Sequence, residues 1–233
     1  MRYYPIFLDL RGQRCVVVGG GKVAERKVRA LLRAGAAVHV ISPDLTPRLA
    51  LLAAKTKLGF TPRAYKKGDL GSLAARRGGP SADASLRPLL VFAATDDSET
   101  QQSVEEEARA IGAPVNAADD RHHSTFLVPA SFAQGDLLVA ISTSGASPAL
   151  ARKLRRQLQV TLGREYRSYL RFMRGARKQV MKSVPTPEGR ARVFRQLSGA
   201  AVVDWLRAGA PRRAWRDAKR VLGKLGVKTR ARE

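Results

Sequence analysis

The residues best suited to chemistry stand near the start of the chain, in Val18-Gly19-Gly20-Gly21-Lys22-Val23-Ala24. The spacing is G-x-G-x-x-A. At that spacing Gly19 permits a tight turn, Gly21 lets a backbone come close to a pyrophosphate, and Ala24 is small enough for a helix to pack on a strand. A helix starting there would turn free N–H groups and the positive end of its dipole toward phosphate oxygens. A second cluster is Thr95-Asp96-Asp97, which suits either a ligand contact or a helix cap. A third is Ala117-Ala118-Asp119-Asp120-Arg121-His122-His123, with a carboxylate and two histidines. Adjacent histidines seldom share one ion, and no cysteine or third histidine is near, so no metal site is expected and the pair is read as surface residues.

The elements that must position these groups follow from periodicity. Ile6 to Leu10 reads as a short strand. Arg14-Cys15-Val16-Val17-Val18 is a continuous apolar run, the pattern of a central parallel strand covered on both faces. After the glycines comes an amphipathic helix ended by Gly35, then a strand at Ala37–Ile41. Strand, glycine turn, helix and strand within about 30 residues make a βαβ unit. A helix is expected over 45–58, a strand over 58–65, and a surface loop or insertion over 74–88. Leu89–Ala94 is another buried strand. A helix then runs to Ile111, where Gly112 stops it, and Ala113–Asn116 is a short strand. Thr125–Ala130 and Leu137–Ser142 read as an antiparallel hairpin around Gln134-Gly135-Asp136. From Ala149 onward the chain reads as helical, with Pro148 just inside the first helix. The aromatics Tyr166, Tyr169, Phe172, Trp205 and Trp215 recur at helical spacing and are read as core.

The fold class expected is α/β: a Rossmann-type parallel sheet domain over 1–115, a hairpin region over 116–150, and a basic helical domain over 151–233. The acidic marker that usually ends the second strand of such a fold is absent, because Ser42 stands there. Asp44, beside Pro43, either meets a ribose hydroxyl or opens the next helix. No arginine adjoins the strand end to hold a 2′-phosphate, although Arg48 is close, so NAD is preferred over NADP.

Charge separates the two ends of the chain. Residues 149–233 hold 24 Lys and Arg against 5 Asp and Glu, while residues 1–148 hold 19 against 14. A net charge of +24 attracts polyanions. The alternative is an arginine-rich solvated surface, or a basic tail that holds nucleic acid or a membrane surface behind a nucleotide-sensing domain. No run of 18 apolar residues is present, and Met1–Pro5 lacks the pattern of a signal peptide, so a cytoplasmic protein without membrane attachment is expected. The single cysteine, Cys15, lies in an apolar strand and reads as a small core residue, not a nucleophile.

Several runs together carry a family resemblance: Tyr4-Pro5-Ile6-Phe7, Val17 to Lys27, Ala93-Ala94-Thr95-Asp96-Asp97, Val115-Asn116-Ala117-Ala118-Asp119, and Ser144-Gly145-Ala146-Ser147-Pro148-Ala149-Leu150-Ala151. In order and spacing, over about residues 1–160, the chain resembles the precorrin-2 dehydrogenase/sirohydrochlorin ferrochelatase family of sirohaem synthesis. The resemblance implies hydride transfer from precorrin-2 to NAD, giving sirohydrochlorin. It implies a homodimer whose hairpin region serves dimerisation, and a polycarboxylate tetrapyrrole as small-molecule substrate. Iron chelation is left open, since some members also insert ferrous iron. The aspartate important to the family aligns with Asp119, which could accept the proton released. Family contacts to NAD align with Lys22, Val23, Pro43 and Asp44, beside Gly19, Gly21, Thr95 and Asp96 read from the pattern. Thr143 stands where some bifunctional members carry serine. No methyltransferase module accompanies these residues, so precorrin-2 is expected from another protein. In this reading nucleic acid is the less favoured partner of the basic region.

Overall fold

The computed structural model describes residues 3–71, 87–118, 124–199, 201–224 and 226–227. The chain divides into two compact units, Met1–Val128 and Pro129–Glu233.

The first unit is built on five parallel strands: β1 (Arg14–Val18), β2 (Ala37–Ser42), β3 (Gly59–Pro62), β4 (Leu90–Ala93) and β5 (Val115–Ala117), in the order β3-β2-β1-β4-β5. Helices between them include α1 (Lys22–Arg33), α2 (Pro47–Ala54) and α3 (Ser98–Ala110). Alternate side chains of β1 serve opposite faces of the sheet. Cys15 and Val17 join Val38, Val40 and Phe92 beneath Ala24, Val28 and Leu31 of α1 and Leu49 of α2. Val16 and Val18 join Ile41, Val91 and Ala93 beneath Val104 and Ala108 of α3, with Leu70. Every residue from Cys15 to Val18 is therefore buried, as the unbroken apolar run requires. Each such valine contributes roughly 1.5–3 kcal/mol of transfer free energy.

Four expectations from sequence are shifted. Residues 6–10 form no strand: both edges of β1 are taken by β2 and β4, and Tyr4, Ile6 and Phe7 stay largely exposed. The second helix spans only Pro47–Ala54, because Thr56 turns to a positive φ of 51°. The third strand ends at Pro62, which has no N–H to extend a ladder. Thr125–Val128 does not enter the hairpin. Instead the Thr125 amide donates to the Val115 carbonyl (2.8 Å), lining the edge of β5. The hairpin begins beyond Pro129, with β6 (Ala130–Gln134) paired to β7 (Leu137–Ile141) across a Gly135-Asp136 turn. Most of the 74–88 insertion lies outside the described residues.

Among its described residues the second unit adds five helices to that hairpin: α4 (Pro148–Thr161), α5 (Glu165–Ser183), α6 (Pro187–Gly199), α7 (Val202–Arg207) and α8 (Pro211–Lys224). Their core gathers Ala176, Val180, Val193, Leu197, Val202, Ala214, Ala218 and Leu222. Phe172 stacks on Trp215 at 4.9 Å, and the Trp205 indole donates to Asp217 (2.9 Å), so these aromatics serve the core as expected.

The segment after β3 is tied down by carboxylates. Asp69 accepts from both guanidinium nitrogens of Arg63 (2.7 and 2.8 Å) and from the Lys66 amide (2.8 Å). The Arg63 hydrogen bonds hold the Asp69 carboxyl below its ordinary range. A carboxyl with a depressed folded pKa stabilises the fold above its unfolded value, about 3.9, and that contribution is lost as pH falls below it. Arg63→Gln is therefore expected to lower the urea midpoint of the first unit at pH 7 and to leave it nearly unchanged at acid pH where Asp69 is protonated. An equal loss at both pH values would show that the pair contributes nothing through charge.

Candidate dinucleotide site

The sheet order reverses between β1 and β4. In open α/β sheets, ligands bind at the carboxyl ends of the strands at such a switch point. The glycine turn sits there, and the three glycines differ. Gly19 has φ +112°, and a Cβ on it would lie 2.2 Å from the Ala94 carbonyl oxygen. A Cβ on Gly20 would lie 1.8 Å from the Asp44 carbonyl oxygen. These two glycines let three backbone segments touch. A Cβ on Gly21 would meet open space, and its φ of −78° is ordinary. Gly21 is the N-cap of α1, and no side chain caps that end. The first N–H groups of α1 consequently lack intrahelical partners, and the backbone beside them is open. That is the arrangement a phosphate fits.

Neighbouring loops hold the turn in place. The Gly19 amide donates to the Ile41 carbonyl (2.9 Å), and the Ala94 amide donates to Val18 (2.8 Å). The Thr46 amide donates to the Gly20 carbonyl (3.0 Å). The Thr46 hydroxyl donates to Glu25 of α1 (2.8 Å) and accepts from the Leu49 amide (3.3 Å), capping α2. Glu25 also stands 4.0 Å from the Arg48 guanidinium. The contact between Thr46 and Glu25 is not legible in local sequence, although a threonine directly before a helix-starting proline signals the cap itself.

Of the residues singled out from sequence, Gly19, Gly21, Lys22, Val23, Pro43 and Asp44 lie at or beside this turn. Lys22, Pro43 and Asp44 are exposed and Val23 is half-buried, while Ser42, at the end of β2, is buried. Thr95 and Asp96 follow the carboxyl end of β4. The capping role in that cluster falls to Asp97, which accepts from the Thr100 amide (3.0 Å). Hydrogen bonds from Thr100 keep the Asp97 carboxyl below its ordinary range. Thr95 accepts from the Asp97 amide (3.2 Å), and the Asp96 side chain is exposed. Asp119, His122 and His123 lie outside the described residues. Among the described residues no three His, Cys, Asp or Glu side chains gather as metal ligands would. Burial pushes the Cys15 thiol up to about 11, which leaves it protonated and unreactive at neutral pH.

A network at the end of β5 was also missed. Lys27 of α1 donates to Asn116 Oδ1 (2.9 Å) and stands 5.3 Å from the centroid of the Phe92 ring. Buried Asn116 donates in turn to the Phe126 carbonyl (3.1 Å), and Phe126 meets Phe92 edge to face at 5.4 Å. Ser124 Oγ accepts from the Ala117 amide (3.0 Å). Residues 116–117 and 124–126, which bracket Asp119 in the sequence, are thereby held against one another.

Strand order, switch point and glycine turn define a Rossmann-type dinucleotide-binding fold. A family model described as putative NAD(P)-binding matches residues 6–130, and one described as sirohaem biosynthesis protein central matches residues 134–160. The chain belongs to this putative NAD(P)-binding family and continues into the sirohaem biosynthesis central segment. It is 36% identical over 204 residues to the siroheme synthase of Chromobacterium violaceum, covering 88% of this chain and 40% of the relative. It is 34% identical over 223 residues to that of Methylococcus capsulatus, covering 95% and 43%. The chain thus spans about two fifths of the length of these curated relatives. The solved structure of SirC, a precorrin-2 dehydrogenase, shares the fold with a TM-score of 0.73 at 23% identity, covering 96% of this chain and 99% of that one.

The three glycines give a direct test. Gly21→Ala is expected to weaken NAD binding at least tenfold in calorimetry while leaving the melting temperature within a degree or two, since its Cβ meets only open space. Gly20→Ala is expected to destabilise the fold itself. Unchanged NAD affinity in a folded Gly21→Ala protein would remove the phosphate site from this turn.

Proposed function

We propose that this chain is an NAD-dependent dehydrogenase that converts precorrin-2 to sirohydrochlorin in sirohaem synthesis. The observation that carries the proposal is the succession, in one chain, of an open glycine turn at a Rossmann switch point and a segment matched by the sirohaem central model. The siroheme synthase relatives and the SirC fold support the same reading.

Under this reading each residue has a physical task. The N–H groups at the start of α1, with Gly19 and Gly21, hold the pyrophosphate, and Lys22 and Val23 flank it. Asp44, beside Pro43, accepts from the adenosine ribose hydroxyls, which favours NAD over NADP. Thr95 and Asp96, at the end of β4, border the path toward the nicotinamide. NAD supplies the hydride acceptor when bound. Loss of a hydride from precorrin-2 must be matched by loss of a proton, and Asp119 is assigned as the base that takes it. Cations of the helical unit meet the substrate carboxylates. Lys27 and Asn116 set the end of β5 from which the chain runs on to Asp119.

We further propose that the protein works as a cytoplasmic homodimer. Leu138 of β7 and Leu150, Leu158 and Val160 of α4 expose apolar surface, Val160 to 84%, and burying such surface drives association. No described helix is long and apolar enough to cross a membrane.

The test is anaerobic incubation of the protein with precorrin-2 and NAD, following NADH and the tetrapyrrole spectrum together. Wild type is expected to form NADH and sirohydrochlorin in equal amounts. Asp119→Ala is expected to lose at least 100-fold in rate, the scale of general base catalysis, while still binding NAD. If wild type forms neither product, the dehydrogenase assignment fails; if Asp119→Ala keeps its rate, the base is another group.

A further inference from the structure

The cations of the second unit are not scattered evenly. On α5, Arg167, Arg171, Arg174, Lys178 and Lys182 are all exposed. Their spacing of four, three, four and four residues confines them to an arc of roughly 80° on a helix that turns about 100° per residue. From Arg167 to Lys182 the stripe is about 22 Å long at 1.5 Å per residue. The opposite side of α5 carries Phe172, Ala176 and Val180 into the core, so the stripe lies on the face turned away from it. The hairpin turn meets its first part, with Gly135 close to the Arg167 stem and Asp136 paired with Arg174, and Arg171, Lys178 and Lys182 face solvent beyond it.

Among the described residues one carboxylate, Asp136, pairs with the stripe. The described acidic residues of the unit are Asp136, Glu165, Glu188, Asp204 and Asp217. Glu165 and Asp204 pair with Arg207, Asp217 with Arg220, and Asp136 with Arg174. Among the described residues Arg167, Arg171, Lys178 and Lys182 have no ion-pair partner. The Arg174–Asp136 pair is itself exposed, 64% and 52%, and such pairs are held weakly.

We infer that the α5 stripe is a docking surface for the phosphodiester backbone of nucleic acid, bound without regard to base sequence. A straight row of cations matches a linear polymer of regular charge, whereas a tetrapyrrole carries its carboxylates around a ring. Three of the five cations are arginines, whose planar fork suits phosphate oxygens. No exposed aromatic or amide side chain lies within the stripe to read bases, so recognition is electrostatic. A membrane surface would need apolar flanks to insert, and Met181 is the one large apolar side chain exposed on α5. This inference is independent of the dehydrogenase reading.

The experiment is fluorescence anisotropy of a labelled mixed-sequence DNA duplex with the full chain at several salt concentrations. Five phosphate contacts predict a slope of log affinity on log salt of about −4.5, hence an approximately 500-fold loss between about 50 and 200 mM salt. Arg167→Gln/Arg171→Gln/Lys178→Gln is expected to bring the slope to about −1.8 with the melting temperature unchanged. Asp136→Asn, which frees Arg174, is expected to tighten binding several-fold. The inference is overturned if wild type does not bind at the lowest salt, or if the triple variant keeps the wild-type slope. It is overturned equally if Arg212→Gln/Arg216→Gln/Lys224→Gln on α8 costs as much, or if polyglutamate or phosphatidylserine vesicles compete better than unlabelled duplex.

Discussion

Much of the first unit depends on a close approach of backbone to backbone at the end of β1. Gly19 packs on the Ala94 carbonyl and Gly20 on the Asp44 carbonyl, at separations that leave no room for a Cβ. This brings the turn before α1, the loop before α2 and the end of β4 together at the switch point. Once they meet, hydrogen bonds from Thr46 to Gly20 and Glu25 fix the loops. Gly21 is the exception that gives the arrangement a use: it is free of such contact and stands at an uncapped helix end. Packing glycines and a ligand-facing glycine thus sit side by side in one turn, and only the space around each separates their roles.

The two units solve their electrostatics differently. In the first, carboxylates are structural: Asp69 secures Arg63 and the Lys66 amide, and buried Glu107 accepts from the Gly68 and Gly71 amides. In the second, apolar packing of α5 through α8 holds the fold and most cations are left facing solvent. Four of its five described acids are occupied by three arginines. Exposed like charges repel one another, so the helical unit carries a positive field that the Rossmann unit does not.

The network of Lys27, Asn116, Phe92 and Phe126 joins α1, β4, β5 and the segment after it. A lysine amine and an asparagine amide satisfy one another beside two aromatic rings. Removal of either would leave a partner group poorly solvated, which is costly. The network lies at the strand ends where open sheets place their ligands.

The sequence by itself determined the parallel sheet, the glycine turn and the basic helical end. These rest on short-range rules: apolar runs mark buried strands, helical spacing marks α1 and α5, and glycine marks turns that other residues resist. It also determined that Trp205, Trp215 and Phe172 belong to a core. Only the tertiary structure decided which glycine packs and which stays open, because that depends on the Ala94 and Asp44 carbonyls arriving from distant parts of the chain. It likewise denied residues 6–10 a strand, since β2 and β4 had occupied both edges of β1. It set Thr125 and Phe126 against β5 and kept Thr125–Val128 out of the hairpin, and it paired Lys27 with Asn116 across 89 positions. Local sequence sets what a segment can become; the partners that fold against it select among those possibilities, and they are invisible to any pattern of neighbouring residues.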